Sequence, residues 1–351
     1  MTTVTEEFAD RVFASALGAI EIYSIHIGDR LGFYRALGRG PKTSRELAEV
    51  TQVHERYVRE WLEQQATNGI VRTDLSSTEP IFSLPPSHSE VLADELNGFY
   101  LAPLARMLTT AGEKIAMLLD AYRDGSGVSW DAFGQDMRES QADMNRPFFT
   151  HDLTGAIAEI EGAHQRLTKP GARAADVGCG AGWSTVALAK AYPEATFHGY
   201  DVDPQSIEAA RDNATGAGLS DRVSFSTEDI GAIDQGQTFD VAFVFEAVHD
   251  MPRPVDVLTA MHGMVRKDGV VVVMDEAVGD EFTGEGDEIE KLMYGFSLLV
   301  CLPDGLSSQP SVGTGTVMRP ATLESYANDA GFTGFQPLSE VGFFRFYELK
   351  P

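Results

Sequence analysis

The stretch ARAADVGCGAGWSTVALAKA places an acid and three glycines where a ligand can be held. Ala174 to Val177 reads as a strand, Gly178, Gly180 and Gly182 as a tight turn, and Ser184 to Ala191 as a helix. Glycines let a backbone approach a ligand closely, and the open N–H groups at a helix start favour an anionic group. The spacing is GxGxG, not the GxGxxG of a dinucleotide site, and Asp176 stands two residues before the first glycine. Such an arrangement suits a ligand that carries both a carboxylate and an ammonium. Taken alone, a structural turn gives the same string. The next apolar run, TFHGYDVD, ends in Asp201, about twenty residues after the loop, where an acid is placed to bind a ribose. The one after it, VSFSTED, ends in Glu228 and Asp229 before Ile230, so that a carboxylate can accept from an adenine amino group while Ile230 packs on the ring. Cys179, Gly182 and Val202 complete the candidate cofactor contacts.

The elements that must position these residues alternate between apolar strands and helical patterns from Gly171 onward, which argues for a parallel α/β sheet. Strands are expected near 173–177, 196–201, 223–227, 239–245 and 270–275. FQPLSEV and FFRFYELK, separated by Gly342, are expected to form a terminal antiparallel hairpin. The amino-terminal side differs. Residues 8 to 37 carry Phe13, Leu17, Ile20, Tyr23 and Ile27 at three- and four-residue intervals, a helical pattern. Thr43 followed by Glu46 has the form of a capping box opening a short helix. A second helix runs through HERYVREWLEQQATNG with Tyr57, Val58, Trp61, Leu62 and Ala66 on one face, and Ile70-Val71 and Ile81-Phe82 read as two short strands. Helix, helix and hairpin is the layout of a winged helix-turn-helix. The expected division is a winged-helix domain at 1–90, a helical connector at 91–165 and a catalytic domain at 166–351.

Composition narrows the function classes. The 351 residues hold 53 acidic and 27 basic side chains, a formal net charge of -26, which repels phosphate backbones and anionic membrane surfaces. Nucleic acid and membrane are therefore not expected partners. The amino terminus, MTTVTEEFAD, lacks the basic and apolar parts of a secretory signal, and a cytoplasmic location is expected. Two cysteines, Cys179 and Cys301, provide no disulfide framework and no CxxC pair.

The methionine end of S-adenosylmethionine carries the carboxylate and ammonium that the glycine loop suits. With DVGCGAG, GYDVD, FSTEDI and FDVAFVFEAVHDM in order, the chain resembles class I S-adenosylmethionine-dependent methyltransferases over roughly residues 165 to 351. The resemblance implies a Rossmann-like, doubly wound seven-stranded sheet with its last strand antiparallel. ERYVREWL, GFSLLVCLPDG and GTGTVMRPATLESYANDAGF are similar to a bacterial small-molecule group with an amino-terminal winged-helix domain. It implies Asp176, Gly178, Gly180, Asp201, Asp229 and Ile230 as cofactor contacts, Phe245 and Glu246 flanking the methionine end, and a homodimer through the amino-terminal helices.

Methyl transfer to a neutral hydroxyl requires an in-line approach and a base. His249 lies at the carboxyl end of the fourth strand, and Asp250 is placed to hold its ring. The segment resembles the His-Asp pair of plant O-methyltransferases, in which the histidine is the base. A packed loop histidine bracing the cofactor site is the competing reading. Asp275 and Glu276, with Asp250, offer oxygens for Mg²⁺ as in catechol-type enzymes, but acids gather at strand ends without metal, and no metal site is assigned. Phe148 and Tyr294 are candidates for an apolar substrate pocket. No NPPY-like segment follows the fourth strand, which disfavours methylation of base amines or glutamine amides. The reading is O-methylation of a small hydroxylated, aromatic acceptor. The alternative is a regulator that binds DNA through the winged helix and senses a ligand with the Rossmann-like half. Against it, Arg56 and Arg59 are set among Glu55, Glu60 and Glu63, so the winged helix is expected to serve dimerisation and to cover the active site.

Overall fold

The computed structural model describes residues 3–233 and 236–351. Its chain separates into two compact units, Met1–Glu113 with Glu139–Pro147, and Lys114–Arg138 with Phe148–Pro351.

The first unit is mainly helical: α1 (Val4–Arg30), α2 (Phe33–Gly38), α3 (Ser44–Thr51), α4 (Glu55–Thr67), the strands β1 (Arg72–Asp74) and β2 (Ile81–Ser83), α5 (Pro86–Leu92) and α6 (Ala102–Glu113). The helix expected over 8–37 is two helices, broken at Gly32, whose φ of 71° ends one and caps the next. The capping box of α3 forms as expected, with Glu46 N–H donating to Thr43 Oγ1 and Thr43 N–H to the Glu46 carboxylate. Helix α4 buries Val58, Trp61, Leu62 and Gln65, whereas Tyr57, expected on that face, is 76% exposed. Trp61 Nε1 donates to the Ser24 carbonyl at 2.8 Å, so the aromatic anchor of the core also locks α4 to α1. The first wing strand begins at Arg72, two residues beyond the expected Ile70, because Val71 is drawn into the core and only 72–74 pair with 81–83. The second wing strand is where the sequence puts it. On the outside of α4, Arg56 and Arg59 pair with Glu60 and Glu55. The periodic run on α1 faces outward: Phe13, Leu17, Ile20, Tyr23 and Ile27 are all exposed.

In the second unit, α7 (Ile115–Asp124), α8 (Trp130–Phe133), the ends of α9 (Gln135–His151), α10 (Leu153–Glu159) and α11 (Glu161–Leu167) precede the sheet. The sheet is built from β3 (Arg173–Val177), β4 (Thr196–Asp201), β5 (Val223–Thr227), β6 (Phe239–Phe245), β7 (Val265–Glu276), β8 (Gly334–Val341) and β9 (Phe344–Lys350). Helices α12 (Trp183–Ala191), α13 (Pro204–Gly216), α14 (Pro254–Met264), α15 (Glu288–Phe296), α16 (Leu302–Ser307) and α17 (Pro320–Asp329) connect or flank these strands. The order is β5-β4-β3-β6-β7-β9-β8, parallel through β7, with β9 antiparallel to both neighbours. This is the doubly wound seven-stranded α/β sheet with an antiparallel last strand. Continuous pairing of β7 with β6 starts at Val270 after a register shift at Phe239/Val241, although the strand itself starts at Val265. The central strands β3, β6 and β7 are apolar on both faces, as a parallel sheet covered on both sides requires, and two cores result. The chain reverses direction across the sheet between β3 and β6, the switch point at which open α/β sheets bind ligands.

Candidate functional site

The glycine loop follows β3 at that switch point. Gly178, Gly180 and Gly182 have φ of 69°, 50° and 73°, in the left-handed region that penalises a side chain. Space is equally short: a Cβ on Gly178 would sit 2.8 Å from Ala247, and one on Gly182 2.8 Å from the Phe225 ring. Asp176 Oδ2 accepts from Ser184 Oγ at 2.6 Å and Thr185 Oγ1 at 2.5 Å, fastening the strand to the first turn of α12. Its other oxygen, Oδ1, is buried without a hydrogen-bond partner. Burial pushes this carboxyl up to about 6, against the pull of the two hydroxyls. Cys179 is buried in the same loop, and burial pushes its thiol well up.

Asp201 ends β4 with Oδ2 accepting from Gly180 N–H at 2.8 Å and Oδ1 from Asp203 N–H at 2.9 Å. One carboxylate thus ties the end of β4 to the middle of the glycine loop. Burial raises its pKa. Val202 is 68% exposed. Asp203 caps α13 through Ser206 N–H and receives Nε and Nη2 of Arg138 at 2.8 and 2.9 Å. Asp229 caps the short 3₁₀ turn Ile230–Ala232 through Gly231 N–H, and Arg253 approaches its other oxygen at 3.3 Å. Ile230 is nearly enclosed in the core beside the sheet. Phe245, the last residue of β6, stacks on Phe243 with ring centroids 5.3 Å apart.

The chain then turns sharply. Glu246 has φ of 52°, a left-handed conformation that a non-glycine residue adopts at a cost of about 1–2 kcal/mol. It opens the turn Val248–Asp250, which puts His249 against the end of β7. His249 is buried, and its Nδ1 lies 2.8 Å from Asp275 Oδ1 and 3.3 Å from Glu276 Oε2. Its Nε2 lies 3.3 Å from Asp250 Oδ1. Burial alone would lower the histidine pKa. The carboxylates of Asp250, Asp275 and Glu276 outweigh it and hold the ring well above its ordinary value. Burial raises the carboxyls of Asp250 and Glu276, while the ring beside Asp275 keeps that carboxyl low despite its burial. The sequence assigns the ring to Asp250. In the structure Asp275 holds Nδ1, because β6–β7 pairing aligns Phe245 with Met274 and so brings the next residue of β7 to the turn.

The segment after α15 closes over this turn. The π-helical turn Ser297–Cys301 delivers Cys301, and Gly315 N–H donates to the His249 carbonyl at 3.1 Å. Phe148 packs on Phe344 at 4.7 Å, whereas Tyr294 meets Phe282 and Arg319, so these two candidate pocket residues have contacts on different elements. Four contributors were not singled out from sequence, and Asp275 was named there only as a strand-end oxygen donor. Ser184 and Thr185 are signalled by their place one helical turn beyond the loop, and Asp275 as the holder of the ring by its strand end. Arg138 and Cys301 carry no local signal for these contacts.

Residues 168–301 match the methyltransferase domain family, and residues 19–94 match the Rv2258c-like winged HTH domain family. Among curated proteins the chain is similar to Methyltransferase GfsG of Streptomyces halstedii, 27% identical over 44% of this chain and 63% of that one. It is also similar to the mitomycin biosynthesis 6-O-methyltransferase of Streptomyces lavendulae, 27% identical over 75% of this chain and 76% of that one. The matches span less than two thirds of the length of the first curated relatives. The solved structure of human N-acetylserotonin methyltransferase in complex with SAM shares the fold, with TM-score 0.73, 15% identity and coverage of 100% of this chain and 99% of that one. The chain thus carries a winged HTH domain over residues 19–94 and a methyltransferase domain over residues 168–301, with a seven-stranded doubly wound sheet.

Proposed function

We propose that this chain binds S-adenosylmethionine at the carboxyl ends of β3, β4 and β5 and methylates a hydroxyl oxygen of a small-molecule acceptor, with His249 as the base. The observation that carries this reading is the His249–Asp275 pair, held on the turn whose Ala247 touches Gly178 of the glycine loop. Likeness to a 6-O-methyltransferase supports oxygen as the acceptor atom, and likeness to a SAM complex supports the cofactor.

The residues fit that cofactor. Asp176 Oδ1, buried without a partner, is placed for an ammonium, and the first turn of α12 offers N–H groups to a carboxylate. The Asp201 carboxylate keeps lone pairs for ribose hydroxyls beyond the two backbone donors it already has. When bound, S-adenosylmethionine supplies a methyl group already activated on a sulfonium. The protein has to align the acceptor, exclude water and take one proton. Asp275 fixes the ring through Nδ1, and Nε2, once it has given up its own proton to solvent, is the position that accepts the hydroxyl proton. That nitrogen must be free of any other cation for the ring to act. Asp250 sits beside it and stabilises the imidazolium that forms.

The test is transfer of labelled methyl to a panel of phenols, hydroxy-acids, thiols and amines. Transfer to hydroxyls that collapses in His249→Ala, with cofactor binding by calorimetry retained, is expected. Undiminished transfer in the variant, or transfer to thiols and amines alone, would remove the proposed role. The reading includes a homodimer. On α1 the side chains of Phe8, Phe13, Leu17 and Ile20 are 52 to 65% exposed, and a second copy of the chain would cover them. Light scattering should give twice the chain mass, falling to one in Phe13→Asp/Ile20→Asp. A monomeric wild type would refute it.

A further inference from the structure

Around Nε2 of His249 three different ligand types converge. The ligand atoms of His249, Asp250 and Cys301 all lie within 4.8 Å of one another. The ring and Asp250 Oδ1 are buried, while residues Asp250 and Cys301 are each partly exposed. Asp275 holds Nδ1, which turns Nε2 toward the Asp250 carboxylate. A proton would draw them to about 2.7–2.9 Å, the usual length of a charge-assisted hydrogen bond. The observed separation is 3.3 Å. Nitrogen and oxygen ligands bound at about 2.0–2.1 Å to a tetrahedral metal stand about 3.3 Å apart.

The surroundings agree. The Thr316 hydroxyl is buried beside the Cys301 thiol. Asp275 stands to the ring as the carboxylate does in carboxylate–histidine–metal triads, orienting the ring and raising its basicity. Cys301 comes from a π-helical turn, an irregularity often found at functional positions.

We infer that His249 Nε2, an Asp250 carboxylate oxygen and Cys301 Sγ form a three-ligand site for a borderline divalent cation of the Zn²⁺ class, with a fourth position open. One imidazole, one thiolate and one carboxylate suit such an ion and do not suit Mg²⁺ or Ca²⁺. On binding, the Cys301 S–H bond breaks and a metal–sulfur bond forms. The Nε2 proton of the ring, where present, is likewise replaced by a metal–nitrogen bond, and the protons pass to solvent. An occupied Nε2 cannot accept a hydroxyl proton, so the cation acts as a brake on methyl transfer. That consequence rests on His249 being the base, whereas the binding does not.

Co²⁺ titrated into the full chain is the test, read as thiolate-to-cobalt charge transfer and tetrahedral d–d absorption. Wild type should develop both bands. Cys301→Ser should lose the charge-transfer band, and Cys179→Ser should keep it. Asp275→Asn should keep the bands with affinity weakened roughly 10–100-fold. Folding of each variant is checked by far-UV circular dichroism. No bands in folded wild type, or a charge-transfer band that survives Cys301→Ser, overturns the site. Calorimetry with S-adenosylmethionine on the same wild-type sample separates the two readings. Cofactor binding without cobalt bands removes only the metal site, and cobalt bands without cofactor binding remove only the methyl-transfer reading.

Discussion

The glycine loop after β3 and the cluster around His249 stand at the same end of the sheet, yet they are built in opposite ways. In the loop, each contact is short in sequence or spans one strand–helix step. Asp176 meets Ser184 and Thr185, and Asp201 meets Gly180 and Asp203. The His249 cluster draws on the turn after β6, the end of β7, the π-helical turn before α16 and the loop at Gly315. Loss of one group in the first region should weaken binding of a ligand by a bounded amount. Loss of one group in the second leaves other buried charges without their counterpart, and its cost should fall on chemistry.

Substitution of His249 sharpens the contrast most. His249→Gln is expected to lower methyl transfer by about 10²–10⁴-fold while S-adenosylmethionine affinity stays within a few-fold, read by steady-state kinetics beside calorimetry. An equal loss of affinity would break the division between the two regions. Next is Asp201→Ala, expected to weaken cofactor binding by about 100-fold with an unchanged circular dichroism spectrum. Unchanged affinity would show the ribose to lie elsewhere.

Asp176→Asn should act in the other direction on stability. The folded-state pKa is pushed up to about 6 from an ordinary 3.8, so ionisation is disfavoured by folding. Wild-type stability from this group is full below about pH 4 and falls as pH rises through 6. The variant should therefore be more stable at pH 7 by about 3 kcal/mol in urea unfolding, with the gap closing below about pH 4, and should bind cofactor less well. A gap that persists at low pH would assign the effect to packing. The smallest effect belongs to Gly182→Ala, about 1–2 kcal/mol of destabilisation from the left-handed backbone, with crowding against Phe225 added. No loss in urea unfolding would mean that the loop relaxes freely.

Period and spacing determined much of this protein. Apolar runs of five to seven residues between turn signals gave the five parallel strands and the terminal hairpin, because a doubly covered sheet demands continuous apolar strands. The capping box of α3 was legible since its two partners are three residues apart. The glycine loop was legible because left-handed backbone and close approach admit little else. Where a pattern is shared by two environments, the sequence was silent. The run on α1 has the period of a buried face and is exposed, and Tyr57 sits at a core spacing yet points outward, since periodicity fixes which residues share a side and not what lies against it. Asp250 was the neighbour in sequence, but strand register handed the His249 ring to Asp275, twenty-six residues away. Cys301 reached the same ring only through the π-helical turn. Local sequence thus determined the segments and the glycine loop. Tertiary structure alone decided which charges surround His249, because pairing between strands and the return of a distant segment set those contacts.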